Sequence, residues 1–209
     1  MYNDKDNERV SIVRLFSIKG GEKSVRYISR VKEILVFQNK YGALYNDLVV
    51  NALDEAGNYL RWVWSRQGVV AVPYRDGLIA LAKMFRYPIG NYSLEFPRGA
   101  IEENETEITA AIRELKEESG LHCIDAQKIG NVYPDSGLLA QSISVVLARV
   151  IEQRSIHEEP MEAIDSVEWY TPLEINRMIG NGDIRCGITI SAFTLFQLSK
   201  PEQSSRLSL

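Results

Sequence analysis

The pattern of hydrophobic and polar positions changes period several times along the chain, and each change marks an element. From Val31 it is strand-like. VKEILVFQ and ALYNDLVVNAL are rich in branched and aromatic residues, and YLRWVWSR sets Leu60, Trp62 and Trp64 against Tyr59, Arg61 and Val63. Asp54 to Asn58 supplies a glycine-containing turn, so these stretches predict a small three-stranded antiparallel sheet. A sheet that small cannot bury both faces by itself and needs the rest of the chain, or a second copy, against it. GVVAVPY and LIALAKMF come next as near-continuous apolar runs, the pattern of strands buried on both faces, joined at Arg75-Asp76-Gly77.

RYPIGNYSLEFPRG leads onward with Pro88 and Pro97 breaking regular structure. From Asn104 the period becomes helical, with Ile108, Ala111, Ile112 and Leu115 on one face and Asn104 and Glu107 at the spacing of a capping box. Gly120 closes that helix, because glycine accepts the left-handed conformation. AQKIGNVY and SISVVLARVI predict two further strands around the loop PDSGLLAQ. HEEPMEAI reads as an acidic loop, SVEWYT as a short strand, PLEINRMIG as a helix with Pro172 in its first turn, and ITISAFTLFQLSK as a final amphipathic helix. VSIVRLFSIKGGEKS is ambiguous between strand and helix, and MYNDKDNER and PEQSSRLSL are polar ends.

The helix opened by Asn104 carries the candidate chemistry. At roughly 100° per residue, Glu114, Glu117 and Glu118 share a second face about 120° from the apolar stripe. Like charges three or four apart destabilise a helix by about 0.2–0.5 kcal/mol per pair. Such a cluster therefore needs free solvation or a compensating cation, and hard divalent cations bind oxygen clusters of this kind. An isolated acidic triplet is ordinarily a solvated helix face. The flanking residues change that reading. Gly99, Glu105, Arg113, Glu114, Leu115, Glu117, Glu118, Gly120 and Leu121 match every specified position of the loop-helix-loop signature of the Nudix hydrolases. A chance match is on the order of one in ten million at average residue usage.

The resemblance implies an α/β fold, a Nudix α/β/α sandwich with a mixed sheet over residues 66–209. Residues 1–65 would form an N-terminal segment and the small antiparallel sheet, serving dimerisation and the substrate edge. It implies magnesium, with manganese as an alternative, held by residues matching Glu114, Glu118 and the Ala100 carbonyl, with Glu117 acting through water. Arg113 would steer a neighbouring carboxylate; without the surrounding signature it would read as a plain ion pair with Glu117.

In the branch that cleaves ADP-ribose and other nucleotide sugars, the glutamate acting on water lies on a late loop. Glu162 fits that place by its distance from Val167 and Trp169, with Glu158 and Glu159 as open alternatives; by composition alone this is only an exposed acidic loop. Arg66, Arg86 and Glu95 match residues bordering the nucleotide and the approach to the metals, although a lone arginine is more commonly a solvated strand end. Tyr41, Tyr45, Trp62 and Trp64 are candidates for sandwiching a base or for packing. The small sheet implies a homodimer. Members that prefer ADP-ribose usually carry a proline-glycine pair followed by an acidic residue, where this chain has Ser136-Gly137 and Gln141, with Pro134 nearby.

Composition narrows the partners. A net charge of −4 over 209 residues offers no basic field for a nucleic-acid backbone, so a polymeric substrate is disfavoured. Two cysteines are too few for a disulfide framework, and no secretory or membrane-spanning stretch stands out, which points to the cytoplasm. The expected activity is hydrolysis of a nucleoside diphosphate sugar, ADP-ribose leading, to a nucleoside monophosphate and a sugar phosphate. The alternatives are the same chemistry on a dinucleotide cofactor, a dinucleoside polyphosphate or a damaged nucleoside triphosphate, and a non-catalytic sensor of nucleotide sugars. The N-terminal sheet argues against the triphosphate option, since enzymes of that kind usually lack it.

Overall fold

The structure is a computed structural model that describes residues 27–153 and 164–199. The expectations for residues 1–26, for the acidic loop through residue 163, including Glu158, Glu159 and Glu162, and for the tail from 200 lie outside the described residues.

The small sheet comprises β1 (Ile28–Lys32), β2 (Leu35–Asn39), β3 (Gly42–Asn51) and β4 (Ala56–Trp64). All pairings are antiparallel and run through β3: β4 covers one edge, while β1 and β2 share the other. The expected first strand is thus split at Glu33-Ile34. The buried Asp47 carboxylate on β3 explains the break, accepting the Ile34 N–H at 3.3 Å while Asn46 N–H donates to the Ile34 carbonyl at 2.9 Å.

The larger sheet is mixed. Its strands are β5 (Gly68–Arg75), β6 (Leu78–Arg86), β7 (Asn91–Glu95), β8 (Arg98–Ala100), β9 (Leu121–Val132), β10 (Ile143–Gln153) and β11 (Ile164–Tyr170). The main order is β11-β6-β5-β10-β9, and the β5–β10 pair alone among these ladders is parallel. β5 and β6 form the expected hairpin, with Asp76 and Gly77 both at positive φ. The two strands then diverge. β7 pairs with the end of β6, and β8 pairs with the start of β5. The hydrophobic pattern does not reveal either strand, because they are only 5 and 3 residues long and lie either side of Pro97. β9 also begins directly after Gly120, five residues earlier than its apolar pattern suggested.

Three helices complete the sandwich: α1 (Glu107–Ser119), α2 (Pro172–Asn181) and α3 (Gly187–Ser199). Alternation along the buried strands sorts the core into two layers. Val70, Val72, Ile79, Leu81, Val145 and Leu147 face α2 and α3, meeting Ile175, Phe193 and Phe196. Their neighbours Val69, Ala71, Ala80, Val146 and Ala148 face α1, meeting Ala110, Ala111 and Leu115. The α1 layer is built largely from alanine and valine, so this helix lies close to the sheet. Full burial of Leu115 contributes about 1.5–3 kcal/mol to holding it there.

Two details of α1 differ from expectation. Its N-cap is Thr106, in a reciprocal box with Thr109, and Asn104 instead sits at φ 68° in the preceding turn. Glu107 does not cap; it accepts from Lys128 Nζ at 2.8 Å and Ser144 Oγ at 2.6 Å, tying the first turn to β9 and β10. Ile108 is exposed and Ala110 is buried in its place. Gly120 ends the helix at φ 66°, as expected. Among the described residues no helix is long and apolar enough to cross a membrane.

Candidate active site

Because α1 packs so tightly, its acidic face is not a solvated one. Glu114 and Glu118, one turn apart and flanking the fully buried Leu115, are only 7% and 2% exposed. Glu117, on the outer flank, keeps a half-exposed side chain. The partner surface is β8, whose middle residue has to be glycine: a Cβ at Gly99 would overlap the Glu114 carboxylate. The Arg98 backbone N–H donates to Glu118 Oε2 at 2.9 Å. β8 thus presents Gly99 and a backbone donor to two carboxylates that the helix delivers edge-on.

Arg113 organises the other side. Its Nε donates to Glu105 Oε1 at 2.8 Å and its Nη2 to Glu105 Oε2 at 2.9 Å. Its Nη1 donates to Glu114 at 2.8 Å and to Glu117 at 2.9 Å, and Nη2 also reaches the Ala100 carbonyl at 2.8 Å. The ion pair with Glu117 therefore exists, but as one strand of a wider web that draws in Glu105, Glu114 and Ala100. The Arg113 hydrogen bond holds the Glu105 carboxyl down to about 2, and the carboxylates in turn raise the guanidinium's own pKa.

Glu95 anchors a second arginine cluster. It is 3% exposed and accepts from Arg86 Nη2 at 2.8 Å and Arg98 Nε at 3.0 Å. Burial pushes its carboxyl up, but the Arg86 hydrogen bond and the Arg98 charge outweigh burial and leave it below the usual range. Arg86 and Glu95, expected to border the nucleotide, are thus paired with each other. Arg98, which sequence reasoning missed, links this pair to Glu118 through its own backbone; its spacing of three from Glu95 was the available signal.

A cleft of about 640 Å³ opens beside this centre, lined by Gly99 and Ala100 on one side and by Tyr41, Trp64 and Gln141 on the other. Arg66 lies at its edge, exposed, with Glu102 at 3.7 Å. Of the aromatic candidates, Tyr41 and Trp64 line the cleft; Trp62 stacks edge-on against Trp64 at 5.5 Å, and the Tyr45 ring is covered by Arg61 at 4.2 Å. The structure therefore brings Ala100, Arg113, Glu114, Glu117 and Glu118 together, with Arg66 across the cleft edge. Glu159 and Glu162 lie outside the described residues.

Among the described residues no three acidic, histidine or cysteine side chains are already gathered in ligating geometry. Arg113 spaces Glu114 and Glu117 through separate hydrogen bonds. The donors nonetheless fit a hard divalent ion: buried carboxylates, a backbone carbonyl, and a glycine that leaves room for the Glu114 oxygens against β8.

Comparison with known proteins agrees with this geometry. The NUDIX domain profile matches residues 64–185, more than half of the chain. The chain belongs to the Nudix hydrolase family. An uncharacterised Nudix hydrolase of Schizosaccharomyces pombe is 32% identical over 103 residues, covering 48% of this chain and 50% of that protein. An ADP-ribose pyrophosphatase of Bacillus subtilis is 28% identical over 136 residues, covering 63% and 71%. The crystal structure of an ADP compounds hydrolase superposes with a TM-score of 0.74 at 20% identity, over 85% of this chain and 96% of that one, which shows the fold. The chain spans about half the length of several curated relatives that it matches. In family language, α1 is the Nudix helix and β8 the strand that opens the Nudix loop.

Proposed function

We propose that this Nudix protein is a divalent-metal-dependent pyrophosphatase that hydrolyses the diphosphate bond of a nucleoside diphosphate sugar, with ADP-ribose the leading candidate. The observation that carries the reading is the burial of Glu114 against Gly99 and of Glu118 on the Arg98 N–H, behind a strand whose Arg98, Gly99 and Ala100 line a cleft shared with Tyr41 and Trp64. Buried carboxylates next to a backbone carbonyl suit a hard divalent ion, and a diphosphate between that ion and the aromatic wall of the cleft uses both features. Two relatives, a Bacillus subtilis ADP-ribose pyrophosphatase and a mouse ADP-sugar pyrophosphatase, support the substrate class.

Glu114, Glu118 and the Ala100 carbonyl would hold magnesium, or manganese in its place, with Glu117 assisting. The cation supplies neutralisation of the diphosphate and acidification of water. Arg113 positions Glu114 and Glu117 through one nitrogen, and Arg66 is free to swing from Glu102 to a phosphate because that pair is exposed and long. Trp64 and Tyr41 supply faces for the base. A carboxylate of the late acidic loop, Glu162 or Glu159, takes the proton from the attacking water.

The same reading includes a homodimer. Leu35, Val36 and Phe37 in β2 are all about half exposed, so both faces of this edge strand are open, as expected where a second copy packs. The small sheet ends at Trp64 and the larger begins at Gly68, which supports a boundary near 65/66 between a dimerisation unit and the catalytic domain. A cytoplasmic setting is consistent with two free, half-buried thiols, Cys123 and Cys186.

The test is product release from a panel of nucleoside diphosphate sugars, dinucleotides and nucleoside triphosphates, with magnesium and with chelator. Magnesium-dependent turnover led by ADP-ribose is expected. Turnover led by dinucleotides moves the substrate within the family, and tight binding without turnover replaces the enzyme with a sensor.

A further inference from the structure

Gln141, matched in the sequence resemblance to a position that is usually acidic, uses both ends of its amide on one backbone residue. Gln141 Nε2 donates to the Trp64 carbonyl at 2.6 Å, and Trp64 N–H donates to Gln141 Oε1 at 3.0 Å. The side chain thus copies one rung of a β-ladder onto the end of β4, 77 residues away in sequence. It continues a short parallel seam: Trp62 N–H donates to the Leu138 carbonyl at 2.9 Å, and Ala140 N–H to the Trp62 carbonyl at 3.2 Å. Below the seam, Leu139 N–H donates to the Asp135 carbonyl at 2.8 Å, so the loop is compact before it reaches β4.

We propose that Gln141 is a positioning residue that sets the cleft wall: its amide clips the 134–141 loop to the Trp64 backbone and so fixes the aromatic face that receives the substrate. Its effect passes through Trp64, whose ring lines the cleft together with Leu139 and Pro134. Trp64 offers one donor and one acceptor, and the neutral amide of Gln141 matches both. A carboxylate at 141 accepts from Trp64 N–H but places a lone pair against the Trp64 carbonyl. The amide thus extends the seam between β4 and the 134–141 loop by one rung. The consequence for catalysis rests on the proposed pyrophosphatase reaction; the clip itself does not.

The test uses the full chain with Gln141→Ala and Gln141→Glu. In the ligand-free protein, hydrogen exchange at the Trp64 amide is expected to quicken about tenfold in Gln141→Ala, with core amides such as Ala71 unchanged and the near-ultraviolet circular dichroism of the Trp62–Trp64 pair reduced. Gln141→Glu is expected to match Gln141→Ala at pH 8 and to regain protection only below about pH 4, where the protonated acid again has one donor and one acceptor. Lys40, Arg66 and Arg98 line the same cleft and Asp135 lies in the loop, so protection is compared with Gln141→Ala at each pH to remove their titration. In turnover of ADP-ribose with magnesium, KM is expected to rise about tenfold in Gln141→Ala while kcat stays within about twofold. Unchanged Trp64 protection in Gln141→Ala overturns the clip, and faster exchange with unchanged KM overturns its role in the cleft. If the wild-type protein turns over no nucleotide sugar, the reaction reading fails, and the exchange result still decides the clip.

Discussion

Two clusters in this protein look alike on paper, each a set of carboxylates gathered around an arginine, yet their settings differ. In the small sheet, Arg61 donates to Asp47 at 2.6 Å and contacts Glu33, while Arg30 bonds Glu33 at 2.6 Å and approaches Asp47 at 4.0 Å. Two acids meet two arginines, and the charge closes on itself. At the Nudix helix, three carboxylates converge on the single guanidinium of Arg113, and Glu118 lies alongside on the Arg98 backbone. There one guanidinium serves three carboxylates, and the adjoining strand residues Arg98, Gly99 and Ala100 line the cleft. A cluster that pairs two acids with two arginines staples strands, whereas the Arg113 web reaches the Ala100 carbonyl of a strand that lines the cleft.

The sharpest way to break this contrast is Glu118→Gln, which removes charge with little change of shape. It is expected to lower kcat/KM by about 10³-fold or more with magnesium, with the circular dichroism spectrum retained. An active Glu118→Gln protein would mean that the buried acid is only structural. Arg113→Ala comes next. Losing the guanidinium leaves Glu105, Glu114 and Glu117 facing one another, so a fall of about 3 kcal/mol in stability and about 10²-fold in kcat/KM is expected. Added magnesium should restore part of the melting temperature, since it replaces the missing positive charge.

The balanced cluster predicts the reverse pattern. Asp47→Asn is expected to cost about 2 kcal/mol in urea unfolding, with kcat unchanged and no rescue by magnesium. Rescue by magnesium there would erase the distinction between the two clusters. The smallest effect is in pH. Burial pushes the Asp47 carboxyl up, but Arg61 and the Ile34 N–H outweigh burial and hold it below the usual range. Its folded pKa therefore lies under its unfolded one, so its contribution is complete above about pH 4 and disappears as pH falls through the folded value. Asp47→Asn should accordingly flatten the stability profile below about pH 4, as read from urea midpoints against pH.

Much of this was legible in the residues because local rules decide it. Gly120 had to end the Nudix helix, Asp76-Gly77 had to turn, and the runs around Val70, Leu81 and Val146 had to be buried on both faces. Each is dictated by backbone sterics or by strand alternation, which need no knowledge of distant contacts. The acidic signature from Gly99 to Leu121 named the family for the same reason, its spacing being one helix and its flanking turns.

Tertiary packing decided the rest. The period placed Glu114 and Glu118 off the apolar stripe, but an alanine-rich contact let the helix sink until both were buried against Gly99. The cap moved from Asn104 to Thr106 once Glu107 was drawn to Lys128 and Ser144 on other strands. Strands as short as β7 and β8 exist only because β5 and β6 diverge and leave edges to pair. The bond between Gln141 and Trp64 spans 77 residues, and only the folded chain brings its ends within hydrogen-bonding distance. Sequence alone determines the features that neighbours along the chain impose on one another; groups distant along it acquire their roles only when burial removes water and leaves them each other as partners.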